Sequence, residues 1–467
     1  LKQVSDSEDL AMNIKLKEDK KKFIFGDVDA GAEVANDNGF YLGHAALFYY
    51  APKTNVSFIG DLNNIGKRTF SFQDMMRFQG GASNFISGRK QLSNLYSFAN
   101  DNTDVVNNKS QFSAFNFRQE INEKLDIEGF GIFSKLFTQS LTKNENQYLE
   151  NENVTNENQR RAGENESVLG IGNIKLNYTP NSKSKWFYNG QFQSTANDFE
   201  SVLNSTLETQ NSYFKTLSSA DIIQVKQFIE WHKQHNQKHT TTFVINQSYD
   251  SNKPQNTWFT DTEFLTGLIP LETDSFYTIQ QVKKIKNNSI DALFKHYWIL
   301  NNFNHLYFNA GNNFGTSKLE TTEKQFLTDG STNDFSTGGF GNDIDYLLND
   351  LYIGIEYKFK IGKWINKPAI YSHFYYLKTN QLSNDYSLNE TLFEPRWNSE
   401  YEFNTSETIK FDYKLTNDFP DATKLAERYT LQTYNSVFKG NALLRNERFH
   451  NATLNYTKTS MYRGLML

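Results

Sequence analysis

Residues 353–361 read Ile-Gly-Ile-Glu-Tyr-Lys-Phe-Lys-Ile. The odd-numbered positions are large and apolar, and the even-numbered ones are glycine or charged. This period of two is typical of a β-strand with one apolar and one polar face. The same alternation recurs at residues 171–178, 409–415 and 451–456. Strands of this kind therefore set the fold class.

Sixteen segments with strand-like patterns follow one another along the chain. Residues 222–235 are the one stretch that could be argued as a helix, but their β-branched and aromatic residues favour a strand. The predicted strands are 23–34, 41–50, 55–64, 111–121, 125–140, 168–179, 185–195, 222–234, 239–250, 277–300, 304–316, 350–361, 368–378, 392–403, 407–416 and 450–460. We predict an all-β protein.

The connections between these segments alternate in length. Every second gap is a short polar turn, whereas most of the others are long, such as residues 65–110, 141–167 and 317–349. Alternate connections of an up-and-down sheet lie at opposite rims, and short turns at one rim with long loops at the other are typical of outer-membrane barrels. We predict an antiparallel up-and-down transmembrane β-barrel. The polar composition of residues 144–166 indicates disorder, with a ligand-gripping loop as the alternative.

The alternation also assigns faces. If the apolar residues of each strand face lipid, the intervening charged residues face the lumen. On this basis Glu356, Lys358, Lys410 and Asp412 are expected to face the lumen, toward a plug or a substrate path.

The composition excludes several classes of protein. Aromatic residues make up 15% of the chain, which argues against disorder because a disordered chain has few rings to bury. A net charge of −5, spread along the chain, lacks the basic patch of a nucleic-acid-binding protein. With no cysteine there is no disulfide framework and no thiolate metal site. No run of about 18 apolar residues predicts a membrane-spanning helix, whereas barrel strands need only alternate residues apolar.

Signatures of catalysis are weak. There is no nucleophile elbow, P-loop or zinc-protease helix, and Ser182 and Lys185 match S-x-x-K only within a predicted turn. His232, His235 and His239 have the spacing of metal ligands on a helix. On a hairpin they straddle the turn and diverge, so a solvated turn is expected.

The loop sequences offer two further patterns. Residues 329–334, with Asp343, Asp345 and Asp350, supply oxygen ligands that Ca²⁺ accepts, yet their spacing fits no EF-hand loop and solvated carboxylates are expected. Residues 338–341, Gly-Gly-Phe-Gly, lack the strand-turn-helix context of a dinucleotide fingerprint and predict a flexible loop. We expect no catalytic residue, cofactor or metal ion.

Aromatic residues have two expected roles. Those on predicted strands are expected against lipid or in an interfacial girdle. They are Trp186, Tyr188, Phe192, Tyr371 and Tyr375. Trp258 and Phe259 fall in a long gap and are expected to pack one loop on another, with stacking on a flat ligand or a sugar as the alternative.

Several segments resemble one family. Leu10 to Lys17, Leu-Ala-Met-Asn-Ile-Lys-Leu-Lys, is similar to the closing strand of the plug domain in TonB-dependent receptors. Residues 440–447, Gly-Asn-Ala-Leu-Leu-Arg-Asn-Glu, are similar to the family's Gly-Asn-Pro-x-Leu-x-Pro-Glu loop, with Ala442 and Asn446 in place of proline. Residues 55–64, 295–302 and 333–345 resemble the plug-and-barrel subfamily that begins with a carboxypeptidase-like regulatory domain.

The resemblance implies a receptor of the outer membrane of a Gram-negative bacterium that imports a scarce or bulky nutrient. Such receptors are 22-stranded barrels blocked by a plug, whose TonB box is pulled by the TonB complex. Residues 1–20 would end the plug and residues 21–467 would form part of the barrel, about 16 to 17 strands. No TonB box is identifiable, and the end at residues 462–467 lacks the family's terminal aromatic residue, so an incomplete barrel is expected.

Further partners follow from the same resemblance. They are outer-membrane lipid, a small-molecule or oligomeric nutrient and, in some relatives, a surface lipoprotein. Two other functions remain open from the residues alone: a sixteen-stranded porin-like diffusion channel, and a secreted β-rich protein that binds glycans or mediates adhesion.

Overall fold

The fold is that of a computed structural model, which describes residues 22–33, 39–67, 105–150, 153–208, 210–382, 384–433, 436–460 and 465–466. The expectations for residues 1–20 and 461–464 lie outside the described residues. Nearly all described residues form antiparallel strands, and each of the sixteen predicted strands is present, including the disputed one at residues 222–234. The described part of the chain holds no helix that is long and apolar enough to cross a membrane.

The strands follow one another in chain order. They are β1 (Phe23–Glu33), β2 (Phe40–Tyr50), β3 (Thr54–Asn63), β4 (Asn107–Asn122), β5 (Leu125–Glu150), β6 (Asn153–Asn181), β7 (Ser184–Leu207), β8 (Gln210–Gln234), β9 (His239–Thr260), β10 (Tyr277–Asn301), β11 (Asn304–Phe326), β12 (Thr332–Asp334), β13 (Asp343–Ile361), β14 (Trp364–Gln381), β15 (Asn384–Asn404), β16 (Glu407–Asp418), β17 (Thr430–Thr433), β18 (Ser436–Phe438), β19 (Glu447–Ser460) and β20 (Leu465–Met466).

Each long strand pairs with its neighbours in the chain, as an up-and-down sheet requires. β13 pairs with β11, and β19 pairs with β16, because β12 and the small β17–β18 sheet belong to loops. Within the described ranges β1 pairs only with β2, and β19 pairs with β16 and β20. The predicted all-β class and the antiparallel up-and-down order of the strands are confirmed.

One rim of the sheet consists of tight turns, which we call the short-turn rim. An asparagine at the end of the incoming strand shapes five of these turns, because its side-chain oxygen accepts a hydrogen bond from the backbone N–H two residues later. The five are Asn122, Asn181, Asn236, Asn301 and Asn404. The S-x-x-K pair at Ser182 and Lys185 lies at one such turn, as predicted.

The opposite rim, the hairpin rim, differs from the expectation of long loops. β5 and β6 stay paired from Leu125↔Tyr178 to Glu150↔Asn153, so residues 144–150 and 153–166 are strand and the prediction of disorder there is wrong. β6 has 29 residues, whereas a membrane needs only about 9 to 11. The excess, about 60 Å along the strand at about 3.3 Å per residue, projects beyond the membrane. True loops remain at residues 261–276, 327–342 and 419–446.

The face that carries Ile353, Ile355 and Tyr357 is here called the outer face. Large apolar side chains on this face stay exposed on nearly every strand. They include Leu47, Phe58, Phe115, Phe133, Ile174, Phe192, Ile223, Phe294, Phe308, Leu351, Ile353, Ile355, Ile370, Phe374, Phe393 and Leu454. Water-soluble proteins rarely expose so continuous an apolar surface, so the outer face is suited to contact with lipid.

Aromatic residues border this surface near the short-turn rim. Trp186 and Trp231 stack at 5.6 Å between ring centroids, and Trp298, Trp364 and Trp397 are 38–45% exposed on the same face of later strands. Rings of this kind prefer the boundary between hydrocarbon and water. Trp186 and Phe192 are both exposed on the outer face, where their predicted contact with lipid or with the interface requires them to be.

The opposite face, which carries Glu356, is here called the inner face. On β2–β6 it holds a buried apolar cluster around Phe48, Ile59 and Phe112. On β10–β15 its buried side chains are mainly polar or charged, including Asp350, Glu356, His373 and Glu394. The exposed face of the sheet is therefore apolar, and the buried face of β10–β15 is polar. This is the reverse of the arrangement in a soluble protein.

Candidate functional site on the inner face

The first part of the inner-face site is built around Glu356, in the middle of β13. Ladder pairing places Lys295 opposite Asn309, and Tyr371 opposite Gly354, so their side chains converge on the carboxylate. Gly354 is needed at this point, because a Cβ there would clash with the Tyr371 ring. The glycine of the alternating segment thus makes room for a tyrosine of the next strand.

Glu356 is saturated with donors. Lys367 Nζ lies 3.1 Å from Oε2 and Lys295 Nζ lies 3.4 Å from both carboxylate oxygens. Asn309 Nδ2 donates to Oε1 at 3.0 Å, and the Tyr371 hydroxyl donates to the same oxygen. Charge-assisted bonds of this kind are stronger than neutral ones. Two lysines around one glutamate leave the cluster with an excess positive charge.

Tyrosine rings hold the cations in place. Lys295 Nζ lies 5.2 Å from the ring centroids of both Tyr297 and Tyr307, and Arg396 Cζ lies 4.4 Å from that of Tyr371. These are cation–π distances. The prediction that Tyr371 and Tyr375 face lipid is wrong, because both are buried on the inner face with hydroxyls bonded to carboxylates.

The second part centres on His373, further from the short-turn rim. Its Nδ1 lies 2.9 Å from Asp350 Oδ1, and its ring stacks on that of Tyr375 at 5.5 Å. The Tyr375 hydroxyl donates to Glu394 Oε1 at 3.2 Å, and Arg396 Nη2 approaches Glu394 Oε2 at 3.4 Å. Acid, base and phenol groups thus form one continuous network across β13, β14 and β15.

Three buried polar atoms of this network have no hydrogen-bond partner among the described residues: Asn309 Oδ1, His373 Nε2 and Arg396 Nε. His373 Nε2 lies 3.4 Å from Glu394 Oε2, but without hydrogen-bond geometry. A buried polar atom without a partner is costly, so such atoms mark positions where another polar group fits. The inner face therefore has unused donor and acceptor capacity at this level.

A group of loops, which we call the loop cap, covers the inner face at the hairpin rim. Its apolar core joins Trp258 and Ile279 of the strands to Phe335 and Phe340 of one loop and Leu431 of another, all at most 3% exposed. Trp258 thus acts as the predicted pin between loops, although it lies within β9. Residues 338–341 keep the predicted loop conformation, with positive φ at Gly339 and Gly341 and Phe340 buried between them.

Hydrogen bonds from strand and loop side chains fix the loop cap. Gln381 Nε2 donates to Leu425 O at 2.8 Å, and Asn342 Nδ2 donates to Arg428 O at 3.1 Å. Gln281 Nε2 donates to Glu323 Oε1 at 3.1 Å, and burial raises the pKa of the Glu323 carboxyl. Gln281 Nε2 also donates to Leu431 O of the cap. Because Gln281 and Gln381 lie on the inner face of their strands, the cap narrows any passage along that face.

The residues predicted to face the lumen do share the inner face. Glu356 lies in the network described above, and ladder pairing places Lys358, Lys410 and Asp412 on the same face. Lys410 Nζ lies 3.1 Å from Glu400, and Asp412 accepts from Asn398. The alternation of apolar and polar residues along each strand was enough to predict these positions. No local pattern joins these residues to their partners Lys295, Lys367 and His373, because they meet only through strand pairing.

The histidine prediction is partly wrong. His239 Nδ1 lies 3.1 Å from His296 Nε2, and both His235 and His296 contact Thr241 Oγ1, so two of the predicted histidines converge with a third from β10. His232 instead lies beside Thr242 and Glu230. No group of three metal-ligating side chains with suitable geometry occurs in the described ranges.

The acidic residues near residue 330 are separated. Asp329 accepts from Ser331, and Asp334 caps a short 3₁₀ turn at Phe335–Gly338. Asp343 and Asp345 lie near Lys318, whereas Asp350 belongs to the inner-face network. These carboxylates do not form a common calcium site. Residues 440–447 lie, as predicted, in the loop that leads into β19.

Comparison with known proteins gives only remote similarity. No protein-family model and no curated protein sequence matches the chain. Among solved structures, the ferric yersiniabactin uptake receptor FyuA from Yersinia pestis matches at 8% identity and a TM-score of 0.31, covering 94% of this chain and 72% of that one. The ferric-catecholate import receptor Fiu from E. coli K12, in its open form, matches at 10% identity and 0.27, covering 94% and 73%.

The translocator domain of the autotransporter NalP from Neisseria meningitidis matches at 8% identity and a TM-score of 0.23, covering 63% of this chain and 82% of that one. TM-scores of this size are too low to assign a fold or a function.

Proposed function

We propose that this chain forms the wall of an outer-membrane receptor that actively imports a scarce or bulky nutrient, and that it has no catalytic role. One observation carries the proposal: the outer face is apolar, exposed and bordered by tryptophans, while the inner face of β10–β15 holds a buried network of charges. Such an inside-out sheet suits a wall between hydrocarbon and a polar passage.

The loop cap favours gated import over free diffusion. An open channel needs a continuous aqueous path, whereas here loops are packed on the inner face through Phe335, Phe340 and Leu431. The unused polar atoms beside Asn309 and His373 offer contacts to a plug or to a passing polar nutrient. A sixteen-stranded diffusion channel is the second candidate, and a secreted glycan-binding protein the third.

The resemblance described above supplies the finer proposal. Residues 1–20 would end a plug domain, residues 21–467 would form part of the barrel, and transport would draw energy from the TonB complex acting on a plug. Lipid of the outer membrane would surround the outer face, and a surface lipoprotein is a further possible partner. The proposal extends to import of a nutrient and names no chemical class for it.

Two measurements on the full-length protein test this function. The purified protein in planar bilayers should show no stable conductance steps if the passage is gated, whereas a diffusion channel produces steps at once. A deletion strain grown on single iron chelates, cobalamin, oligosaccharides or peptides should identify the nutrient. Uptake of that labelled nutrient should stop within minutes of adding a protonophore.

The results that contradict the proposal are equally direct. Uptake that persists without the proton-motive force would show a diffusion channel. Recovery of the protein in the soluble fraction without detergent would show a secreted protein. Cell fractionation and heat-modifiable migration on gels distinguish these cases before any nutrient is known.

A further inference from the structure

A pocket of about 490 Å³ lies on the outer face, away from the network of the inner face. Side chains of β9, β10, β11, β13 and β14 line it, among them Lys286, Lys318 and Lys378 together with Tyr249 and Leu347. Cations and apolar groups thus share one cavity on the surface that faces lipid. Nearer the short-turn rim the large exposed side chains of the outer face are mainly apolar.

The pocket lies at the edge of the apolar surface. On three strands a lysine lies two or four residues beyond a large apolar residue of the outer face, counted from the short-turn rim. The pairs are Ile290 and Lys286 on β10, Phe314 and Lys318 on β11, and Tyr376 and Lys378 on β14. This edge is where lipid headgroups meet a barrel, on the side of the hairpin rim.

Two of the lysines lie directly opposite each other. Lys286 and Lys318 are register partners on β10 and β11, and like charges in that position are destabilising. Lys318 Nζ is offset by Glu320 at 3.2 Å and Asp343 at 3.8 Å. Lys286 is exposed and has no ion pair among the described residues. Lys378 has only a loose pair with Asp385, at 3.7 Å.

We propose that Lys286 and Lys378 bind the phosphate group of an outer-leaflet lipid in this pocket. Among the described residues, Asp345 is the one carboxylate that lines the pocket, and it lies 4.0 Å from Lys318 Nζ. A phosphate would balance the charges of Lys286 and Lys378, and basic pockets on membrane proteins bind lipid head groups in this way. Tyr249 and Leu347 in the same pocket favour a phosphate attached to an apolar molecule over a free phosphate ion. The proposal rests on the outer-membrane location proposed above.

Binding of lipid A to the full-length protein, purified in detergent and delipidated, tests the proposal by native mass spectrometry. The probes are lipid A with two phosphates, the same lipid dephosphorylated, and inorganic phosphate. Wild type should bind only the phosphorylated lipid strongly. Lys286→Gln should weaken binding about fivefold, and the double variant with Lys378→Gln about 30-fold.

A matched control is available on β5. Lys135 follows the outer-face residue Phe133 in the same way, but its Nζ is already paired with Glu166 at 2.6 Å. Lys135→Gln should leave lipid binding unchanged. Equal binding of dephosphorylated lipid, strong binding of inorganic phosphate alone, or less than twofold weakening in Lys286→Gln would overturn the proposal. Heat-modifiable migration of the same protein samples on gels shows whether the barrel is folded. A failure of the proposed outer-membrane location is therefore distinguished from a failure of lipid binding.

Discussion

The substitution Ile353→Lys provides the sharpest test of the outer face. Ile353 is 53% exposed at the middle of β13, with Ala310 and Ser372 as its register partners. In a soluble protein a lysine at a half-exposed surface position changes the free energy of unfolding by less than about 0.5 kcal/mol. In a bilayer the same lysine near the midplane costs about 2–4 kcal/mol.

The difference is large enough to measure. A cost of about 2–4 kcal/mol lowers the folding equilibrium constant roughly 30- to 870-fold at 25 °C. We expect this loss in urea titrations of the full-length protein in lipid vesicles, followed by heat-modifiable migration and tryptophan fluorescence. Ile361→Lys is the matched control, because Ile361 is 65% exposed on the same face at the short-turn rim, where the cost should be about 0–1 kcal/mol. Equal stability of Ile353→Lys and wild type would refute a lipid-facing surface here.

Three further outcomes are expected. Glu356→Gln leaves Lys295 and Lys367 on the inner face without their carboxylate, and it should lower the free energy of unfolding by about 3 kcal/mol. The loss should be measurable as a shift of the urea midpoint, and an unchanged midpoint would show that the network is solvated. Trp258→Ala should destabilise the packing of the loop cap by about 3–5 kcal/mol, so a protease should cut residues 419–446 faster while the heat-modifiable band persists. Protection from the protease equal to that of wild type would contradict the packing of the cap. Hydrogen bonds, the one from Ser205 first, lower the pKa of the Glu157 carboxyl on the projecting β5–β6 hairpin to about 2, so the stabilisation that the carboxylate gives this hairpin is complete above about pH 4.5 and is lost as the pH falls through about 2. A spin label on a cysteine placed in the hairpin should show this loss as increased mobility, whereas the hairpin of Glu157→Gln should be mobile at every pH. A pH response in Glu157→Gln would argue against the carboxylate.

Period two and the polar turns predict most of the wall. Each strand keeps one apolar face within the membrane, and the asparagine turns fix where the strands reverse at one rim. Strand order then follows from chain order, because neighbouring strands pair in an up-and-down sheet. The face assignment of Glu356 and Lys410 needed nothing further.

The projecting hairpins were missed for a physical reason. Beyond the membrane both faces of a strand meet water, so neither face needs to be apolar and the alternation disappears. Lys143 pairs with Arg160 and Asn144 with Gln159, polar on polar. A period-two search finds nothing there, although backbone pairing continues to Glu150.

The inner-face network was missed for another reason. Alternation places Tyr371 and Tyr375 on one face but does not say which face meets lipid, and a phenol ring suits both a membrane boundary and a buried carboxylate. The informative signal was their strand neighbours: His373, Thr379 and Gln381 share the parity of the two tyrosines, whereas Ile370 and Phe374 have the other parity. The loop cap depends on contacts such as Gln281 with Leu431, which no local pattern encodes.

The central claim is that one face of the sheet contacts hydrocarbon and the other a polar interior. Because the chain has no cysteine, single cysteines at positions 353 to 361 can be labelled without background. A fluorophore at each position, measured in vesicles with lipid-chain spin labels, reports which side chains touch the bilayer. Strong quenching at the odd positions and weak quenching at the even ones is the predicted result. Quenching that is uniform, or strongest at Glu356 and Lys358, would contradict the account.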